Sequence, residues 1–145
     1  GLAFDIYEVT NPVDPLMERQ RWERVKQEIL LTLKDELPLD ELISKRQQGL
    51  LRTKTIPFSR NIKVKVDNEA SDFFTVVEVI AQYRPGRLYE VAKVMHSEGL
   101  DIRFAKVNTD EEKMLGSFYV RDKDGQKIYD EEALNRLELE IRSTG

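Results

Sequence analysis

The 145-residue sequence contains no cysteine. Disulfide bonds and thiolate metal sites are therefore excluded. It has one histidine, His96, and one tryptophan, Trp22, and only 8% of its residues are aromatic. A lone histidine without thiol partners cannot build the usual structural zinc sites. No apolar run approaches the ~20 residues that a membrane-spanning helix needs. Neither sign of charge dominates: 23 Lys and Arg stand against 27 Asp and Glu, for a net charge of −4. That balance gives no global attraction to nucleic acid or anionic lipid, so neither nucleic acid nor a membrane is an expected partner. Hydrophobic residues at 40% and charged residues at 34% place the chain among soluble globular proteins. No leader pattern follows Gly1. The absence of thiols fits the cytoplasm, and the first residue, Gly1 instead of Met, predicts a segment of a longer protein.

What is present reads as two kinds of pattern. Residues 3–9 read as a short strand, followed by a turn-rich stretch with Asn11, Pro12, Asp14 and Pro15. Residues 18–33 read as a helix whose stripe is Trp22, Val25, Ile29 and Leu33. A second short helix is predicted over 39–47. Residues 45–65 carry seven basic and no acidic residues and read as a linker running into a strand. From there the periods alternate. Ile62, Val64 and Val66 alternate with lysines in a half-buried strand. Residues 67–72 are a loop, and the apolar run 73–81 is a central strand. A helix follows around Leu88, Val91, Ala92 and Met95, with Gly99 at its C-cap. Strands are predicted over 100–108 and 114–121. Asp130 is the N-cap of a last helix marked by Leu134, Leu137 and Ile141.

The order strand, helix, strand, strand, helix predicts an α+β, ferredoxin-like fold, βαββα, lacking its last strand. The hairpin strand before it is expected to take that place and protect the sheet edge. Residues 1–31 also repeat the end of the chain at an offset of about 112, in phase: Tyr7 on Tyr119, Trp22 on Leu134, Val25 on Leu137, Ile29 on Ile141. The expected division is thus 1–35 as the last strand and helix of a truncated first repeat, 36–60 as a helical and basic linker, and 61–145 as a complete domain. A truncated copy leaves strand 3–9 and the Trp22 stripe in need of partners, which predicts pairing with another sheet, in the same chain or in a second copy, with a homodimer preferred.

Few residues carry chemistry. Gly86 opens a helix directly after a central strand; free helix N–H groups there suit a carboxylate, although a plain Pro-Gly turn has the same residues. Arg84 and Arg87 flank it, as ligand partners or as solvated surface charges. His96 lies near a helix end and is expected to face terminal carbonyls. Asp110, Glu111 and Glu112 read as a solvated turn. Asp122, Asp124 and Gly125 lack the downstream glutamate of a calcium loop. No phosphate loop, nucleophile set or metal motif is present, so no catalytic residue and no cofactor is expected.

The strings Val66-Asp67-Asn68-Glu69-Ala70-Ser71-Asp72, Tyr83-Arg84-Pro85-Gly86-Arg87-Leu88-Tyr89, Ala105-Lys106-Val107 and Phe118-Tyr119-Val120-Arg121-Asp122 resemble one family. It is the C-terminal tandem ACT region of the bifunctional PII uridylyltransferase/uridylyl-removing enzymes. The resemblance is strong over 60–143 and weaker over 1–48. It implies a regulatory ACT domain that senses an amino acid, glutamine, and controls attached catalytic domains acting on the PII protein. It implies a ligand site at Arg84, Pro85, Gly86, Arg87 and Leu88. The competing expectation is a dimerisation or docking module without a small-molecule ligand. Three places depart from the family pattern: Tyr83 stands for Asp, Arg87 for Leu, and Gly116-Ser117 where Asp is common.

Overall fold

The structure is a computed structural model that describes residues 6–9, 17–51, 61–110 and 112–145. The chain divides into two compact units, residues 1–44 and 45–145.

In the first unit, α1 spans Glu18–Leu33, as its periodicity predicts. It ends in a Schellman cap: Asp35 takes φ 57°, Asp35 N–H reaches the Thr32 carbonyl at 3.1 Å, and Glu36 N–H reaches that of Leu31 at 2.9 Å. Asp is among the few non-glycine residues that tolerate this left-handed conformation. No residue of α1 is buried; Trp22 is 39% and Ile29 54% exposed. Helix α2 spans Leu39–Leu51, four residues beyond the predicted end; its residues from Lys45 onward, Gln47 among them, belong to the second unit. The first part of the expected basic linker is therefore helical, because its Lys, Arg, Gln and Leu are all good helix formers. Residues 52–60 lie outside the described residues. Residues 6–9 join no strand, which corrects the expected strand over them; a strand needs a ladder partner, and none pairs with them among the described residues. The remainder of that strand lies outside the described residues.

The second unit is built on β1 (Lys63–Asp67), β2 (Thr75–Gln82), α3 (Arg87–Ser97), β3 (Asp101–Thr109), β4 (Lys113–Arg121) and α4 (Glu131–Ser143). The four strands form one sheet in the order β1-β2-β4-β3, antiparallel throughout. This is the expected ferredoxin-like arrangement. The hairpin strand β1 lies antiparallel beside β2, where the missing last strand would lie. Alternation sorts the sheet into two faces. One face carries Val64, Val77, Val79, Met114, Phe118 and Val120, each at most 7% exposed. Against it lie Val91 and Met95 of α3 and Leu137 and Ile141 of α4, all at 1% exposure or less. Helix α3 ends as predicted at Gly99, with φ 75°. Helix α4 starts at Asp130, whose carboxylate accepts from Glu132 N–H. A bulge at Arg103 interrupts the β3–β4 register.

The Asp67–Asp72 loop is held by its own side chains. Asp67 Oδ1 accepts from the N–H groups of Glu69 and Ala70 at 2.8 and 2.9 Å. Asn68 Nδ2 donates to the Ile128 carbonyl at 2.7 Å. Thr75 Oγ1, fully buried, donates to Asn68 Oδ1 and accepts from Ile128 N–H. Lys127 Nζ donates to the carbonyls of Asn68 and Ser71. The string that carries the family resemblance thus fastens the start of β2 to the loop before α4.

Two predictions follow from this packing. A Cβ on Gly116 would lie 2.7 Å from the Phe118 ring, in the core. Gly116→Ala is expected to cost about 2 kcal/mol, the usual range for overpacking, read as a lower urea midpoint at unchanged slope. The carboxyl groups of Asp67 and Asp110 are both held below the ordinary carboxylate range. Lys65 and backbone N–H groups do this for Asp67, and backbone N–H groups for Asp110. A depressed native pKa gives stability that is present above the unfolded value near 4 and lost as pH falls through the native one. Thermal melts of Asp67→Asn and Asp110→Asn should therefore differ from wild type at neutral pH and converge with it in acid.

Candidate functional site

The loop between β2 and α3 sits at the end of a central strand, where β2 stops pairing and the chain turns into a helix. Tyr83 N–H donates to the Glu112 carbonyl at 2.8 Å, which fixes the turn entry. Gly86 has φ 85° and serves as N-cap of α3 without a side-chain cap. That φ costs an L-residue about 1–2 kcal/mol, so glycine is required by the backbone here. Leu88 is 37% exposed, and Pro85 and Gly86 are half-buried.

The two arginines are engaged within the chain. Arg84 grips the Glu90 carboxylate with both terminal nitrogens, at 2.7 and 2.6 Å. Its Nη2 also donates to the Thr144 carbonyl at 3.2 Å. Arg87 is only 2% exposed. Its Nη1 donates to the same carbonyl at 2.7 Å and lies 3.5 Å from Glu90 Oε2. Its Nε is buried without a partner. Gln47 completes the group, donating to the Pro85 carbonyl at 3.1 Å and to Glu90 Oε1 at 3.3 Å. Burial pushes the Arg87 guanidinium below its ordinary range, the Arg84 charge adds to this, and Glu90 opposes it. The expected alternative of solvated surface charges does not hold for either residue.

The loop thus gathers all five sequence-predicted site residues, together with three that the sequence reading missed: Gln47, Glu90 and Thr144. Glu90 was readable in part, since it lies three residues after Arg87 on one helix face. Gln47 and Thr144 carry no such signal. His96 is exposed in the last turn of α3. Asp110 accepts from the N–H groups of Glu112 and Lys113, a turn closed on its own backbone. Asp122 does the same for Asp124 and Gln126. Among the described residues, no group of three or more His, Asp or Glu side chains could hold a metal ion. No described helix is long and apolar enough to cross a membrane.

A family profile for the ACR9-like, ACT-like domain matches residues 63–144, the sheet and helices of the second unit. The chain belongs to the ACT-like domain family. The bifunctional uridylyltransferase/uridylyl-removing enzyme of Ruegeria pomeroyi is 32% identical over 142 residues, covering 98% of this chain and 15% of that protein. Its namesake in Rhodospirillum rubrum is 34% identical over 129 residues, 88% of this chain and 14% of that one. The protein of the same name in Cereibacter sphaeroides is 28% identical over 142 residues, 98% and 15%. The chain spans about 15% of the length of these relatives. Within the ACT-like domain, Arg87 caps the carbonyl end of α4 through the Thr144 carbonyl.

Arg87→Ala removes a buried charge-assisted hydrogen bond and the packing of the side-chain stem. It is expected to destabilise the domain by about 2 kcal/mol, while Arg84 still serves the Thr144 carbonyl. Urea unfolding checks this, and a loss within error of zero would show that Arg84 suffices.

Proposed function

We propose that this chain is the amino-acid-sensing regulatory region of a bifunctional uridylyltransferase/uridylyl-removing enzyme, with glutamine as the effector. The observation that carries the reading is the match of nearly the whole chain to enzymes of which it makes up only a small part, together with the ACT-like domain over 63–144. On this reading the chain acts through attached catalytic domains of the parent protein, which works on PII in the cytoplasm. The effector's carboxylate sits at the loop of Arg84, Pro85, Gly86, Arg87 and Leu88. Residues 1–35 are the end of a preceding ACT repeat. Support for that last point is the similar stripe on α1 and α4: Trp22, Val25 and Ile29 stand where Leu134, Leu137 and Ile141 pack in the complete domain. A homodimer fits the exposed apolar residues on the sheet face away from α3 and α4, where Phe104 is 58%, Leu115 47% and Ile80 43% exposed.

A second reading is an ACT-like dimerisation or docking module that binds no small molecule. The engagement of Arg84 and Arg87 inside the chain favours it.

Glutamine titration by calorimetry separates the two readings, performed on the intact parent protein and on its Gly86→Val variant. The variant should bind at least about tenfold more weakly, or roughly 1.4 kcal/mol, because Val blocks approach to the backbone. Circular dichroism controls for the strain of Val at this φ. Equal affinity would remove the loop from the site, and no binding to either protein would leave the docking module.

A further inference from the structure

One carboxylate stands at the centre of the Arg84–Leu88 loop, and it belongs to the protein. Glu90 presents both oxygens to the Arg84 fork at 2.7 and 2.6 Å. A second guanidinium, that of Arg87, stands 3.5 Å from Oε2, and the Gln47 amide donates to Oε1 at 3.3 Å. Two cations and a neutral amide around one carboxylate, beside a helix N-terminus, are the parts of a carboxylate-binding cradle. The same donors suit the carboxylate of a free amino acid equally well.

Resting on the reading of this loop as the effector site, we propose that Glu90 occupies the position of the effector's carboxylate, so that the domain is self-liganded and an amino acid binds by displacing it. Three observations carry this. Glu90 is the one acid among two arginines here, so the cradle keeps one positive charge in excess. Arg87 is 98% buried yet its Nε has no acceptor, so the internal carboxylate leaves one donor unsatisfied. The Glu90 side chain retains 26% exposure and sits in the first turn of α3, from which a rotamer change takes it into water. Arg84 and Arg87 both keep the Thr144 carbonyl as a fixed anchor while that exchange occurs.

The test uses the 145-residue chain with Glu90→Ala and Glu90→Gln, with sodium acetate as a bare carboxylate and glutamine as the amino acid. At equal ionic strength, acetate in place of chloride should raise the melting temperature of both variants by about 3 °C and that of wild type by less than about 1 °C. Glu90→Gln removes the competing charge but keeps the shape and the Gln47 contact, so it remains informative if Glu90→Ala does not fold. Glutamine should bind Glu90→Gln at least about tenfold more tightly than wild type. Acetate that stabilises the variants and wild type equally overturns the proposal. So does equal glutamine affinity in wild type and Glu90→Gln. Acetate rescue of the variants without glutamine binding to any of them establishes Glu90 as the occupant of a carboxylate cradle and rejects glutamine as its ligand.

Discussion

The contact on which the domain's geometry turns is the buried guanidinium of Arg87 against the carbonyl of Thr144, the C-cap of α4. Taking an isolated charge out of water costs several kcal/mol, so Arg87 stays charged at 2% exposure only because its surroundings suit a cation. The carbonyl end of a helix carries about half a negative charge, and the Thr144 carbonyl lies there, 2.7 Å from Nη1. Glu90 supplies a full negative charge at 3.5 Å. The interaction ties the N-terminal turn of α3 to the C-terminal turn of α4, whose other residues bury Val91, Met95, Leu137 and Ile141 against the sheet. The two helices therefore cannot slide on the sheet without breaking a charge-assisted bond in a dry environment. An apolar residue at position 87 would pack there without specifying this register.

The elements whose signal is periodic were legible in the sequence. Alternation in 62–66 and 114–121, the valine run of β2 and the helical stripe of α4 each reflect a face that must be buried. The αL glycine after α3 and the Asp130 cap were equally readable, because few residues serve in those places. The ends of β2 and α2 were not: Phe73 falls outside the ladder, where Arg121 Nε donates to its carbonyl at 3.0 Å, and α2 runs past Gln47 because nothing in Gln48-Gly49-Leu50 stops a helix abruptly. In the candidate site the partners of Arg84 and Arg87 were not legible. Arg84 and Arg87 invite a search for an external anion. Their actual anion lies one turn along α3, and their carbonyl partner lies 57 to 60 residues away. Sequence spacing reports neighbours on a helix; it is silent about contacts made by the fold.

The family-specific string has a similar lesson. The side chains of Asp67, Asn68 and Ser71 are each engaged by structure. Asp67 closes its own turn, and Asn68 and Thr75 pass a chain of hydrogen bonds to both backbone groups of Ile128. Thr75 is fully buried, so an unmet hydroxyl would cost about 1–3 kcal/mol. Asn68 and Thr75 each donate and accept in this network, so replacing either leaves a partner unmet.

A regulatory domain has to exchange one set of contacts for another of nearly equal free energy, since a ligand shifts an equilibrium only by its differential affinity. A rigid loop with free donors would bind tightly but report nothing. A loop already satisfied by its own carboxylate binds more weakly, by the fraction of time that the carboxylate is away. It also changes its contacts when it does bind. Here the moving part would be one side chain, that of Glu90, while the Arg87–Thr144 bond holds the helices in place. The change would then be felt first at Gln47, which donates both to the Glu90 carboxylate and to the Pro85 carbonyl and lies on α2. Loss of the Glu90 acceptor leaves Gln47 bound to the loop backbone alone. On that proposal the residue that senses the exchange would be on a different element from the residues that make it, which is the minimum a binding event needs to become a signal.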